Sequence, residues 1–315
     1  MDPFLDLIRL LRPQATLWAR IDAAGRWGVS FRQRQDLLFC WVERGGCQLV
    51  RLGEAPITLQ KDDFALVRTS SPFTLTSDPT LEPENSEDIV AAIGHTGMKL
   101  GEGTASPAVL RGGRFVFDTA NERLLTELLP QVVHIASSDN SSGRLRALLS
   151  MNEAESSSPG LGSEFVVARL MELIFVEVLR NGSPSLNLTQ TGLLAGLADP
   201  AIALALTEMH HAVAQRWTVA SLARLCHLSR SGFSFRFRTV IGIGPIEYLQ
   251  RWRIALAKDE LRRGTRTMGE IALSIGFQSA SAFSTAFTRA VGCAPSRFAD
   301  RSSAEWADQK VSTFL

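Results

Sequence analysis

The stretch Ser229–Pro245 recurs fifty positions later as Ser279–Pro295, and no other feature narrows the fold as much. Ser229, Ser231, Phe233, Ser234, Phe237, Gly242 and Pro245 reappear, without a gap, as Ser279, Ser281, Phe283, Ser284, Phe287, Gly292 and Pro295. Upstream, Leu222, Ala223 and Leu225 stand opposite Ala272, Leu273 and Ile275. Each copy reads as a short apolar helix, a tight turn and a second helix. The paired phenylalanines fall four apart, on one helix face. Gly242 and Gly292 are expected to end the second helices as left-handed C-caps, with Pro245 and Pro295 opening the next element. Between the copies, residues 246–263 lack glycine and favour a helix with Leu249, Trp252, Leu256 and Leu261 as apolar positions. Thr267, with Glu270 three residues on, reads as a capped helix start. The pattern is a helix-turn-helix built twice and joined by one rod. A duplicated helical bundle is the plainer alternative, but a bundle needs no particular charge.

Charge does have a pattern here. The formal net charge of +1 conceals 18 Lys and Arg against 24 Asp and Glu in residues 1–199, and 15 against 8 in residues 200–315. A basic C-terminal third on an acidic remainder points to a polyanion-binding module attached to something else. The 315 residues suffice for two domains with their own cores, so no disulfide or metal staple is needed. Cys40, Cys47, Cys226 and Cys293 have neither CxxC spacing nor a secretory leader before them. The longest apolar stretch, 165–179, is broken by Arg169, Glu172 and Glu177, so a soluble, cytoplasmic protein without a membrane span is expected.

The rest of the chain has a different texture. Residues 1–19 read as helical. Trp27–Phe31, Leu37–Val42, Cys47–Leu52 and Phe64–Val67 are short apolar runs divided by turn signals, as in antiparallel strands of a small barrel or sandwich. Ile89–Ile93 and Arg114–Phe117 are candidate further strands. Asn121–Ile135 has helical spacing, and 136–162 form a loose connector with one helix near Arg144–Met151. Ser163 can cap an apolar helix through Arg180, buried either in a core or against a second subunit. Residues 181–192 read as a linker.

Residues 208–300 resemble the DNA-binding domain of the AraC/XylS family of transcription regulators. The resemblance rests on Ile271-Ala272, Gly276-Phe277, Ser281-Ala282-Phe283, Phe287, Gly292 and Pro295, with Leu222-Ala223, Ser229-Arg230-Ser231, Phe233, Phe237-Arg238, Gly242, Pro245 and Tyr248 in the first half. The strand runs around Trp27–Phe31, Leu38–Gly45 and Leu59–Val67 are similar to the cupin-like domains that precede many such modules, although Asp62-Asp63 replaces the usual Gly-Asp turn. The fold class implied is α+β: a cupin-like β-barrel with a helical extension (1–185), a linker (186–203), two helix-turn-helix lobes joined by a long helix (204–300), and a tail (301–315).

In that family the second helix of each lobe enters a major groove, and the rod holds the two about one DNA turn apart, roughly 34 Å. Helix faces and family resemblance together make Arg230, Ser231, Ser234 and Phe235, then Ala280, Ser281 and Thr285, the base-facing candidates. The second helix offers only small side chains, so its direct readout is expected to be weak. Phe235 either packs on a thymine methyl or is an extra core ring. Arg224, Arg238, Arg266, Arg289 and Arg297, with Arg230 and Arg236 also exposed, are candidates for phosphate contacts.

In the N-terminal domain, Trp27, Phe31, Phe39, Trp41 and Phe64 either line an effector pocket or fill the barrel. Cys40 and Cys47 flank a hairpin turn, as a redox pair or as buried free thiols. The histidines His95, His134, His210, His211 and His227 lack the spacing of a metal-binding cupin, and no catalytic grouping is legible, so neither cofactor nor enzyme is expected. The implied function is sequence-specific transcription regulation under a small-molecule effector. Promoter DNA, RNA polymerase and a second copy of the chain are the candidate partners. The alternative is a metal-dependent cupin enzyme fused to a DNA-binding tail.

Overall fold

The computed structural model of the chain describes residues 2–17, 20–34, 36–93, 98–117, 129–139, 142–181 and 191–300. Residues 301–315, 182–190 of the expected linker, His95, and 121–128 of the helix expected at Asn121–Ile135 lie outside these. The chain forms two compact units, one within 12–117 and 129–190, the other within 1–11 and 191–315.

The first unit is built on β1 (Gln14–Leu17), β2 (Ile21–Ala23), β3 (Gly28–Phe31), β4 (Leu37–Arg44), β5 (Gly46–Arg51), β6 (Ile57–Gln60), β7 (Phe64–Arg68), β8 (Phe73–Thr76), β9 (Glu84–Asn85), β10 (Met98–Leu100), β11 (Ala108–Val116) and β12 (Val132–Ile135). One sheet has the order β10-β2-β11-β4-β7-β12, with β1 also on β11; the other is β6-β5-β8-β3-β9. The cupin-like barrel thus takes the form of two sheets around a shared core. Strand alternation decides what enters that core. Along β4, Leu38, Cys40 and Val42 join Val29, Phe31, Leu49, Phe73 and Leu75 between the sheets. Leu37, Phe39 and Trp41 have the opposite parity, and Phe39 packs at a tilt on Phe115, which meets Phe175 of the helix Ser163–Asn181 at 4.8 Å.

Two local expectations are corrected. Ile89–Ile93 belong to a helix, Ser86–Ile93, because the Asn85 side chain accepts from the Glu87 amide and Glu87 and Asp88 favour its first turn. Val132–Ile135 form a strand against β7 rather than the end of a helix. At the turn before β7, Asp62 takes the left-handed conformation at φ 68°. Asp63 accepts from the amides of Gln60 and Ser137 and contacts His134 Nε2 at 3.0 Å. Burial opposes its charge, but these bonds hold its carboxyl below the usual range. Cys40 and Cys47 are buried free thiols. Burial pushes Cys40 up to about 12 and raises Cys47 too, so reactive thiolate is scarce at either.

The helix Ser163–Asn181 is apolar on two sides. Leu170, Met171, Ile174, Phe175, Val178 and Leu179 are buried, while Phe165, Val166 and Leu173 are exposed. The core-helix reading therefore accounts for only part of its apolar surface.

The second unit contains the N-terminal helix Pro3–Leu11. Leu7, Leu10 and Leu11 are its buried stripe. Asp6 lies 3.3 Å from His210 Nδ1, and His210 Nε2 lies 2.8 Å from the Tyr248 hydroxyl. An ionised Asp6 only accepts, so the neutral ring donates from Nδ1 and accepts the Tyr248 proton at Nε2. The ring also stacks on Trp252 at 4.0 Å. Burial lowers the His210 pKa more than Asp6 raises it. The unfolded chain therefore takes up the proton first as pH falls, and stability present above about pH 6.5 is lost below it. The melting temperature of the helical unit is expected to fall between pH 7 and pH 5 in the wild type. His210→Gln should be less stable at pH 7 but lose less on acidification. Equal losses in both proteins would refute this assignment.

Candidate nucleic-acid interface

Each lobe is assembled by matching local signals. In the first, the helix Val219–Leu225 starts in a capping box of Thr218 and Ser221 and buries Leu222 and Ala223. The helix Arg230–Ile241 is capped by Ser229, whose hydroxyl accepts from the Gly232 amide, and ends at Gly242 with φ 92°. In the second, Thr267 and Glu270 make the expected capping box for Met268–Ser274. Ser279 caps Ala280–Val291, which ends at Gly292 with φ 85°. Phe233 and Phe237 sit 5.7 Å apart in one core, Phe283 and Phe287 5.5 Å apart in the other, all fully buried. The rod is the helix Pro245–Arg263, ended by Gly264.

The repeat is not gapless in three dimensions. The second helices superpose at an offset of fifty, but the capping threonines Thr218 and Thr267 and the buried pairs Leu222-Ala223 and Ile271-Ala272 are offset by forty-nine. The turn bonds agree, since the Leu228 amide donates to the Ala223 carbonyl and the Phe277 amide to the Ala272 carbonyl, both at 2.9 Å. Leu222, Ala223 and Leu225 therefore do not pair with Ala272, Leu273 and Ile275. The second turn holds one extra residue, Gln278, between Phe277 and the cap Ser279. Sequence reasoning missed it because the offset of fifty also sets apolar residues opposite Leu222, Ala223 and Leu225. At the turn itself, His227 is left-handed at φ 54° and Gly276 at φ 86°. A Cβ on Gly276 would come within 2.6 Å of the Ala214 carbonyl and the Arg253 guanidinium, so this position requires glycine.

At the exposed start of the first recognition helix stand Arg230, Ser231 and Phe235, with Ser234 half-buried. Phe235 is 76% exposed, which removes the core-ring reading. On the second, Ser281 and Thr285 are exposed and Ala280 is half-buried. The Thr285 hydroxyl donates to the Ser281 carbonyl at 3.1 Å, leaving it an acceptor and a methyl for any partner. Arg224, Arg238, Arg289 and Arg297 are exposed and form no ion pair among the described residues. Two other arginines are engaged. Arg266 lies 3.6 Å from Glu260, and Arg236 is 2.7 Å from Asp199. Asp199 also accepts from the Ala201 and Ile202 amides at the start of Pro200–His211. Burial opposes its charge, but Arg236 and these amides hold it below the usual carboxylate range.

The five aromatic candidates for an effector pocket do not come together. Trp27 and Phe31 lie between the sheets, whereas Phe39, Trp41 and Phe64 have the opposite side of the larger sheet. Phe31 is stacked on Phe73 at 4.6 Å, so its face is already used. Trp41 borders a cleft of about 240 Å³, lined also by Glu43, Asp62, Arg146, Leu149, Ser150 and Glu153. Among the described residues no group of three or more His, Cys, Asp or Glu could hold a metal, and no helix is long and apolar enough to cross a membrane.

Residues 2–182 match the protein family described as Cupin, and residues 222–301 match the one described as Helix-turn-helix domain. A Streptomyces lividans protein bearing the name AraC-like transcription regulator is 38% identical over 94% of this chain and 97% of its own length. One of the same name from Streptomyces antibioticus is 37% identical over the same shares. The HTH-type transcriptional regulator AlkR of Acinetobacter baylyi is 26% identical over 90% of this chain and 94% of its own.

Proposed function

This chain belongs to the AraC-like transcription regulators, and on that premise we propose that its two recognition helices read consecutive major-groove segments on one face of promoter DNA. The observation that carries this reading is the duplication itself. Two capped helices with exposed N-terminal turns are joined by the single helix Pro245–Arg263, whose 19 residues span about 28 Å at 1.5 Å each. That length is close to one duplex turn. Arg230, Ser231, Ser234 and Phe235 face bases in the first segment, with Phe235 on a thymine methyl; Ala280, Ser281 and Thr285 face the second. Arg224, Arg238, Arg289 and Arg297 hold phosphates, and Arg266 joins them only by leaving Glu260.

The test is selection of binding sites by the full chain from a random duplex pool. Phe235→Ala is expected to relax one position of the first segment by about 5- to 150-fold, the usual worth of one base pair in a site, while leaving the second unchanged. A uniform loss of affinity across all sequences would remove Phe235 from base reading.

Regulation belongs to the other unit. A small effector enters the cleft beside Trp41 and shifts the balance between two arrangements of the protein, one of which binds DNA better. The chain acts by binding rather than by catalysis, in the cytoplasm where its DNA lies, with RNA polymerase as the partner that reads out the bound state. Two copies pair through Phe165, Val166 and Leu173, whose exposure leaves an apolar stripe along Ser163–Asn181. Leu173→Glu is expected to halve the mass in sedimentation while changing the melting temperature little, because Leu173 is already 53% exposed. An unchanged mass in the variant would place the contact elsewhere.

A further inference from the structure

The one-residue difference between the two turns has a consequence for recognition. In the first lobe the residue that plugs the turn, Leu228, is followed directly by the helix cap Ser229. In the second, Phe277 plugs the turn, Gln278 follows, and only then comes the cap Ser279. The added residue stands at the mouth of the second recognition helix, the end from which a helix-turn-helix contacts base edges.

We propose that Gln278 reads an adenine in the second DNA segment and is the main specificity determinant of that lobe; the inference rests on the DNA-binding reading above. Three observations support it. First, Gln278 is exposed, and its carboxamide makes no hydrogen bond among the described residues, so two donors and an acceptor remain open. Second, its backbone is pinned on both sides. The Phe277 ring packs on Phe283 at 5.6 Å, and the Ser279 hydroxyl accepts from the Ala282 amide at 3.1 Å. A fixed backbone leaves only the side chain to be ordered on binding, which lowers the entropic cost.

Third, no neighbouring side chain can do the same work. The first lobe presents Arg230 and Phe235 at its helix start; the second has Ala280 and Thr285 at those positions. Ser281 is short, and the Thr285 proton is given to the Ser281 carbonyl. The extra residue thus supplies the long polar group that the helix lacks. A carboxamide donates to adenine N7 and accepts from adenine N6, a pairing that other bases do not offer in the major groove.

The experiment is site selection from a random duplex pool by the full-length wild type, Gln278→Ala and Gln278→Glu, with melting temperature as a folding control. The wild type should enrich adenine at one position of the second segment. Gln278→Ala should lose that preference by about 5- to 150-fold and keep the first segment intact. Gln278→Glu, which can only accept, should move the preference to cytosine, whose N4 donates. An unchanged motif in Gln278→Ala, or a uniform drop in affinity for all sequences, overturns the proposal. A wild type that enriches no sequence overturns the DNA-binding reading itself, and the inference with it.

Discussion

Phe287→Ala is expected to cost the helical unit about 3–5 kcal/mol, the usual penalty for a phenylalanine truncated in a closed core. Phe287 has no exposed surface. Its ring meets Phe283 and Phe298, each at 5.5 Å, and shares the cluster with Ile254, Ala257 and Leu261 of the rod. The remaining rings cannot close the gap, because Phe283 is anchored by Phe277 on its other side. Denaturant titration should therefore show the helical unit melting earlier, with the β unit as an internal reference. DNA binding should fall toward that of a single lobe. A loss below about 1 kcal/mol would mean that the second lobe is not the tightly packed body described above.

The second large effect is on salt dependence. The four phosphate candidates that form no ion pair among the described residues, Arg224, Arg238, Arg289 and Arg297, imply four displaced counterions on binding. At about 0.9 per neutralised phosphate the slope of log affinity against log salt is about −3.6, so raising salt from 50 to 200 mM should weaken binding about 150-fold. Arg238→Ala should bring the slope to about −2.7 and weaken all sequences alike. Arg236→Ala should leave the slope in place, because Asp199 already holds that guanidinium. A slope near zero, or an equal effect of the two substitutions, would show that the exposed arginines are not the phosphate contacts.

Much of the helical unit was legible because its signals are local. Phenylalanines four apart, a Thr267–Glu270 capping box and a glycine past each recognition helix specify two lobes without any long-range information. What escaped was non-local or hidden by ambiguity. Helix Pro3–Leu11 docks through Asp6 on His210, 204 residues away, and nothing in either segment announces the other. Ile89–Ile93 look like a strand because five apolar residues in a row carry no period; the signals that make them helical, Asn85 and the acids after it, lie upstream.

The placement of the aromatic residues in the β unit was illegible for a related reason. Every residue of β4 from Leu37 to Val42 is buried, so polarity does not tell its two faces apart. Only the observed pairing shows that Phe39 and Trp41 turn away from Phe31. Gln278 was hidden by register alone. A gapless alignment of the recognition helices, correct in itself, absorbed the extra turn residue into the preceding helix.

The central claim is that two lobes on one rod grip adjacent groove segments of the same duplex face. Hydroxyl-radical footprinting of the full chain on a duplex it has selected tests this most directly. The account predicts two protected tracts about one helical turn apart on one face, with Phe287→Ala erasing only the tract under the second lobe. A single tract, or two that vanish together while the variant remains folded, would contradict it.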